Sequence, residues 1–247
     1  MNSIRVFQNP ETLANELAIC WHEQAKEAAK NHNWFSVVLS GGNTAPLLYG
    51  KLAEPKWKNC IPWSCVHIFF ADERCVPPYN KESNYKNIYD TLLRYIPIPD
   101  ENIHRIKGEE DPEKEALRYS KEIQYHLNIK KAKLFDWALL GIGKDGHTAS
   151  LFPGQDTLNS KSLCQATQHP DTAHPRITMT PIAINSSARI TYHAIGGEKS
   201  EIVSKLTTHP SSKKIYPASI ISGELFLDKN SASKINFSGF KKTDLSN

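Results

Sequence analysis

The feature of this sequence that most constrains the fold is a glycine-rich segment directly after an apolar run. Residues 134–140 read LFDWALL and predict a buried strand of a parallel sheet, and residues 141–153 then read GIGKDGHTASLFP. The glycines allow a sharp turn with exposed backbone N–H groups, beside an acid, Asp145, and a histidine, His147. Ligands bind at the carboxyl ends of strands in open α/β sheets. The segment therefore predicts an α/β protein with a site at the end of this strand.

The glycine spacing at 141–146 also matches G-x-G-x-x-G, the fingerprint of nucleotide-dependent oxidoreductases. That fingerprint requires a long helix after the glycines and an acidic residue about 20 positions further on, at the end of the next strand. Here His147 follows directly, residues 153–154 are Pro-Gly, and no strand ending in Asp or Glu lies at the required distance. The context therefore argues against a dinucleotide site.

Helical and strand patterns alternate along most of the chain, which predicts a mainly parallel sheet with helices on both faces. We expect a single-domain, Rossmann-like α/β fold over residues 1–228, followed by a polar tail, 229–247, that is loosely ordered. The predicted helices span 11–30, 44–53, 83–95, 112–127 and 198–206. The predicted strands span 34–39, 65–70, 134–140, 176–180 and 189–195, with a final strand pair within 219–227.

Charge and composition limit the partners that this chain can have. The formal net charge of +4 fits a small anionic substrate, and no basic cluster is dense enough for nucleic acid. The five cysteines show no metal-ligand spacing and predict reduced thiols in a cytoplasmic protein. We find no apolar run of signal-peptide or membrane-spanning type, so no membrane partner is expected.

Two motifs follow the first two predicted strands. Ser40, Gly41, Gly42 and Thr44 stand between a strand and a helix, where glycines and free helix N–H groups suit a phosphate. The alternative is a plain turn capped by Asn43 or Thr44, and the string lacks the Gly-Lys-Ser/Thr ending of a P-loop.

The second motif is Asp72-Glu73-Arg74, which ends the strand predicted at 65–70. An acid and an arginine beside a cleft suit a polyol and an anion, although an ion-paired surface turn is the simpler alternative. His147 suits a general base oriented by Asp145, with a structural histidine as the alternative.

Three further cations, Arg176, Arg189 and Lys199, fall near the ends of later elements. Each suits an anion, and each alone is equally compatible with a solvated surface charge. No set of residues near the acid and histidine has the spacing of a metal site.

Together these residues resemble the 6-phosphogluconolactonase family, within the wider group that includes glucosamine-6-phosphate deaminases. The resemblance runs from about residue 37 to 227 and rests on these pieces: Ser40-Gly41-Gly42-x-Thr44 with Pro46-Leu47, Phe70-x-Asp72-Glu73-Arg74 with Ser83-Asn84, the 141–153 block, Pro175-Arg176-Ile177-Thr178, Gly197-x-Lys199, and Pro217-Ala218. Deaminases typically carry Phe-Asn-Glu-Pro after the Asp-Gly-His triplet and a Tyr after Asp-Glu. This chain has Thr148-Ala149-Ser150-Leu151-Phe152-Pro153 and Arg74 there, as lactonases do.

The resemblance implies hydrolysis of 6-phosphoglucono-1,5-lactone to 6-phosphogluconate in the oxidative pentose phosphate pathway, without metal or organic cofactor. It implies His147 as the general base, oriented by Asp145, with Arg74 or N–H groups near Gly42 as oxyanion donors. Asp72 is then expected to hold sugar hydroxyls.

The resemblance also places the phosphate on the Ser40–Thr44 loop, with Arg176 and Lys199 as cationic partners. We expect a monomer or weak homo-oligomer. The alternatives are a glucosamine-6-phosphate deaminase, a non-catalytic sugar-phosphate sensor, and the nucleotide-dependent oxidoreductase already considered.

Overall fold

The computed structural model describes residues 3–42, 44–130, 135–208, 216–237 and 245–246. Within them, the strands are β1 Ile4–Phe7, β2 Phe35–Leu39, β3 Val66–Phe70, β4 Asp72–Arg74, β5 Ile103–His104, β6 Trp137–Leu140, β7 Cys164–Gln168, β8 Pro175–Met179, β9 Arg189–Ala194, β10 Glu224–Asp228 and β11 Leu245–Ser246. The α-helices are α1 Pro10–Lys30, α2 Ala45–Ala53, α3 Pro55–Lys58, α4 Asn84–Thr91, α5 Pro112–Lys130, α6 Pro181–Asn185, α7 Ser200–Thr208 and α8 Pro217–Ile220. Short 3-10 turns span Trp63–Cys65, Leu93–Tyr95, Asp100–Asn102, Asp156–Asn159 and Gly197–Lys199.

The main sheet is parallel and has the order β11-β1-β10-β9-β6-β2-β3-β5. Every residue of β2, β3 and β6 is buried. Since successive side chains of a strand point to opposite faces, both faces of the sheet centre are covered. One hydrophobic core joins the strands and helices. The predicted single-domain, mainly parallel α/β fold is confirmed.

Helix α1 shows how local sequence builds this core. Asn9 caps the helix in a reciprocal capping box with Thr12, and Pro10 occupies the first turn. Its apolar stripe, Leu13, Leu17, Ala18, Trp21 and Ala25, is buried, and the Trp21 ring lies 5.6 Å from Phe35 and 6.5 Å from Trp137. The helix therefore packs its apolar stripe against the sheet centre.

A second, antiparallel sheet has the order β4-β8-β7 and corrects the strand predicted at 176–180. That strand is β8, and it pairs with β4 and β7 rather than joining the parallel sheet. The chain leaves the main sheet at Ala71, whose carbonyl accepts a hydrogen bond from the Met179 N–H at 2.7 Å. This small sheet stands over the carboxyl end of β3, which is where the candidate site lies.

The strand pair predicted within 219–227 is wrong. Residues Pro217–Ile220 form helix α8, and only Glu224–Asp228 is a strand, placed between β1 and β9. Proline lacks an N–H for a ladder but suits a first helical turn, which explains the helix at this point. The sequence patterns also did not predict β1, β5 or β7.

The segment predicted as a polar tail, residues 229–247, begins with residues that pack against the fold. Ser231, Ala232 and Ile235 are buried, and the Ser231 hydroxyl donates a hydrogen bond to the Ala194 carbonyl at 2.8 Å. Residues 245–246 pair with β1 as β11. Tail residues 238–244 and 247, together with Leu134 at the start of the predicted 134–140 strand, lie outside the described residues. In the described part of the chain, no helix has the length and apolar character needed to span a bilayer.

Candidate active site

The polar motifs meet in one cleft at the carboxyl ends of the central strands β2, β3, β6 and β9, as the alternating pattern predicts. The cleft has a volume of about 280 Å³. Nine predicted site residues line it: Ser40, Gly41, Gly42, Thr44, Asp72, Arg74, His147, Arg176 and Lys199. The tenth, Asp145, contacts His147. Arg189 is not a lining residue, because it lies at the other end of β9 and pairs with Glu224 at 2.5 Å.

The 141–147 loop holds a histidine–carboxylate pair. Asp145 Oδ1 lies 2.6 Å from His147 Nδ1 and also accepts the His147 backbone N–H at 3.2 Å. A Cβ at Gly143 would come within 2.2 Å of His147 Nδ1, so only glycine fits beneath the pair. The loop continues into a tight Thr148–Leu151 bridge and not into a long helix, which excludes the dinucleotide interpretation of its glycines.

The ionisation of Asp145 is coupled to its neighbour. Partial burial by itself raises the pKa of this carboxyl, but the hydrogen bonds from His147 and the attraction of its ring lower the pKa below the ordinary aspartate value. Asp145 is therefore an anion at neutral pH and accepts from the ring nitrogen that faces it. The His147 side chain keeps 32% of its surface exposed, so its ring remains open to the cleft.

Asp72 is buried at the junction of the two sheets. Its Oδ2 accepts the Ser150 hydroxyl at 2.6 Å, and its Oδ1 accepts the Asn84 amide at 3.2 Å. Ser150 belongs to the 141–153 segment and Asn84 begins α4, so this carboxylate connects three parts of the site. A carboxylate can accept about four hydrogen bonds, which leaves capacity for ligand hydroxyls.

Glu73 has a structural role that the sequence patterns did not reveal. Its carboxylate accepts the backbone N–H groups of Arg74, Asn84 and Tyr85 at 2.7–2.8 Å, and the Ser83 hydroxyl at 3.0 Å. Burial raises its pKa above the ordinary glutamate value despite these donors. The side chain fixes the start of α4, and with it the position of Asn84 beside the cleft.

Two arginines form a positive pole at one side of the cleft. Arg74 of β4 and Arg176 of β8 are directly paired residues of the antiparallel ladder. Both Nε atoms are buried without a hydrogen-bond partner, whereas Arg74 Nη1 donates to the Glu82 carbonyl. Burial, followed by the charge of Arg74, lowers the pKa of Arg176. Two neighbouring like charges with unused donors indicate an anion site.

A third cation lies on the opposite side, beside the histidine loop. Lys199 Nζ donates to the Ile142 carbonyl at 2.8 Å, and burial lowers its pKa, with Lys144 adding repulsion. His193 of β9 contacts Thr44 Oγ1 through Nδ1 at 3.1 Å. Burial lowers the pKa of His193 to about 4, so this ring is neutral and positions Thr44.

The Ser40–Thr44 loop presents a helix start to the cleft. Thr44 occupies the N-cap position of α2 but makes no side-chain hydrogen bond to the first turn of the helix. The alternative of a plain turn capped by Thr44 is therefore not supported. Asn43, the other candidate cap, lies outside the described residues. The Ser40 hydroxyl accepts the Gly141 N–H at 3.0 Å and so joins the two glycine loops. A Cβ at Gly41 would lie 2.0 Å from Asn84 Oδ1, which explains glycine at this close approach.

The site residues that were not assigned a role from sequence include Asn84, Phe152, His169 and His193. The Phe152 ring lies between His147 and His169, at 5.0 and 5.1 Å. His193 could have been identified from the sequence, since it stands at the end of a predicted strand just before Gly196-Gly197, as the other site residues stand after their strands. His169 could not have been identified in this way, because the pairing of β7 with β8 is what brings its loop to the cleft.

Comparisons with known proteins agree with this geometry. Residues 8–227 match the sequence model of the family described as glucosamine-6-phosphate isomerases/6-phosphogluconolactonase. The 6-phosphogluconolactonase of Haemophilus influenzae is 39% identical over 198 residues, which cover 78% of this chain and 84% of the relative.

Two solved structures extend the match to three dimensions. The devB protein is 34% identical with a TM-score of 0.89, covering 96% of this chain and all of the other. The 6-phosphogluconolactonase of Thermotoga maritima is 29% identical with a TM-score of 0.78, covering 92% of this chain and 99% of the other. The chain therefore belongs to the family of glucosamine-6-phosphate isomerases and 6-phosphogluconolactonases.

Proposed function

We propose that this protein hydrolyses 6-phosphoglucono-1,5-lactone to 6-phosphogluconate, with His147 as the general base. The observation that carries the proposal is the 2.6 Å contact between His147 and Asp145 in a cleft that is also lined by the cations Arg74, Arg176 and Lys199. A lactone is an activated ester, so a positioned base and oxyanion donors are sufficient for its hydrolysis. The step requires no metal and no organic cofactor.

The pairing with Asp145 sets the tautomer of His147. A carboxylate only accepts hydrogen bonds, so the neutral ring carries its proton on Nδ1 and offers the Nε2 lone pair to water. Nε2 takes a proton as the water oxygen attacks C1 of the lactone. The ring oxygen then leaves C1 and receives that proton from Nε2, which restores the neutral histidine and gives the open-chain acid.

The remaining groups stabilise the developing negative charge or hold the substrate in position. Arg74, or the N–H groups near Gly42, stabilises the oxyanion that forms at C1. Asp72 accepts hydrogen bonds from sugar hydroxyls. The phosphate lies at the Ser40–Thr44 loop and the start of α2, with Arg176 and Lys199 as its cationic partners.

The test is the decay of freshly generated 6-phosphogluconolactone, measured against its spontaneous hydrolysis. We expect the purified protein to accelerate the decay strongly and to release no ammonia from glucosamine 6-phosphate. Ammonia release without lactone hydrolysis would identify a deaminase. Tight binding of 6-phosphogluconate with decay at the spontaneous rate would identify a sugar-phosphate sensor instead.

A further inference from the structure

Three histidines form a cluster away from the cleft, and nothing in the proposed reaction uses them. His67 of β3, His104 of β5 and His126 of α5 each bring a potential ligand atom within 4.8 Å of the others. His67 and His104 are buried, and His126 is half-buried. None of the three lines the candidate active site. We refer to them as the histidine cluster.

The hydrogen bonds of His104 orient its ring as metal-binding histidines are oriented. Glu122 Oε1 lies 2.8 Å from His104 Nδ1, and His104 Nε2 lies 3.0 Å from His67 Nδ1. In the neutral ring the proton is on Nδ1, facing the carboxylate, so Nε2 accepts the Nδ1–H of His67 without a metal. Metal binding replaces this hydrogen bond and releases the His67 Nδ1 proton, after which both nitrogens offer lone pairs to the ion. A carboxylate behind a histidine ligand fixes the ring tautomer and raises its basicity toward a metal.

His126 supplies the second argument. Its Nδ1 is buried and has no hydrogen-bond partner. A buried polar atom without a partner is unfavourable, and a bound cation would remove that cost.

Aromatic packing holds the rings in place. The Trp34 ring lies 4.4 Å from the His67 ring, and the Phe69 ring is stacked 4.3 Å from the His104 ring. The His67 and His104 rings are nearly parallel, with 8° between their planes and 5.3 Å between their centroids. Rings fixed in this way lose little conformational freedom on binding a metal.

We propose that the histidine cluster is a binding site for Zn²⁺ or a similar divalent transition metal. Imidazole nitrogens bind zinc at about 2.0–2.1 Å, so the nitrogens of a tetrahedral site lie about 3.4 Å apart. His67 Nδ1 and His104 Nε2 lie 3.0 Å apart, and the three potential ligand atoms lie within 4.8 Å of one another, so zinc binding requires the side chains to adjust to this spacing. The three histidines and a water complete the coordination, and Glu122 remains hydrogen-bonded behind His104.

The consequence of binding is structural. The histidines come from β3, from the two-residue edge strand β5 and from α5, so one ion joins the sheet edge to the helix that covers it. Because the unfolded chain does not hold the three ligands together, the ion stabilises the folded state. Neither the site nor this effect depends on the reaction assigned to the cleft.

The test is Zn²⁺ titration of the metal-stripped full chain by calorimetry, combined with thermal unfolding and the visible spectrum of bound Co²⁺. We expect one zinc per chain, a rise in the unfolding temperature, and the absorption of tetrahedral Co²⁺. His126→Gln should weaken binding by at least about a hundredfold, and Glu122→Gln by about tenfold to a hundredfold. The control His22→Gln removes a histidine of similar exposure on α1 and should bind as the wild type does.

Two results would overturn the proposal. One is wild-type protein whose unfolding temperature and Co²⁺ spectrum do not respond to the metals, a result that does not depend on any variant folding. The other is zinc binding that His126→Gln retains and His147→Gln abolishes, because the ion would then occupy the cleft and not the histidine cluster.

Discussion

At the scale of single residues, the candidate site depends on the space beneath the His147–Asp145 pair. Gly143→Ala would place a methyl group 2.2 Å from His147 Nδ1, so the ring must move away from Asp145. We expect kcat for lactone hydrolysis to fall by about a hundredfold or more, the usual contribution of a general base. Steady-state kinetics measure the loss, and circular dichroism verifies the fold.

The matched control for that substitution is Gly50→Ala, in helix α2. A Cβ at Gly50 meets no atom within 4 Å, and alanine favours a helix over glycine. This variant should keep its full activity and be slightly more stable. Full activity in Gly143→Ala would contradict the role given to the pair.

The buried His193 makes the free energy of unfolding depend on pH. Burial, with the charge of Lys199 adding, lowers its pKa from 6.5 to about 4 in the folded protein. Between these values the unfolded chain binds a proton that the folded chain does not bind. The free energy of unfolding therefore falls as the pH decreases through this window, by about 3 kcal/mol in total.

Urea unfolding at pH 7 and pH 4 measures this effect when wild type is compared with His193→Gln. The variant has no titrating ring at this position, so it should lose about 3 kcal/mol less between the two pH values. Equal losses in both proteins would show that His193 is not the group responsible.

At the scale of elements, the cross-strand pair of β4 and β8 concentrates positive charge. Arg176 faces Arg74 across the ladder, and its buried Nε has no partner. If Arg176 holds the substrate phosphate, Arg176→Ala should raise KM by about tenfold to a hundredfold, since a hydrogen bond to a charged group contributes about 1.5–3 kcal/mol. The value of kcat should change little.

Saturation kinetics separate the two parameters, with Arg94→Ala as a control because the Arg94 side chain is 51% exposed on the surface. A large fall in kcat at unchanged KM would assign Arg176 to the reacting carbonyl instead of the phosphate. If Arg176→Ala and Arg94→Ala change KM equally, Arg176 makes no specific contact with the substrate phosphate.

At the scale of the whole molecule, the residues of the site could be predicted from the sequence more completely than the order and pairing of the strands. Glycines and polar residues directly after apolar runs located the loops, and the parallel sheet then brought Ser40, Asp72 and His147 to one edge. The placement of β8 could not be predicted, because a short strand with mixed burial carries no signal for which sheet it joins. The position of His169 in the cleft depends on that same tertiary arrangement, because its loop connects β7 and β8.

The measurement that tests the central claim most directly compares lactone hydrolysis by His147→Ala and His169→Ala. Both rings belong to the cleft and both contact Phe152, but only His147 is paired with a carboxylate among the described residues. We predict a rate near the spontaneous background for His147→Ala and substantial activity for His169→Ala. A His147→Ala protein that hydrolyses the lactone as fast as wild type would contradict the account.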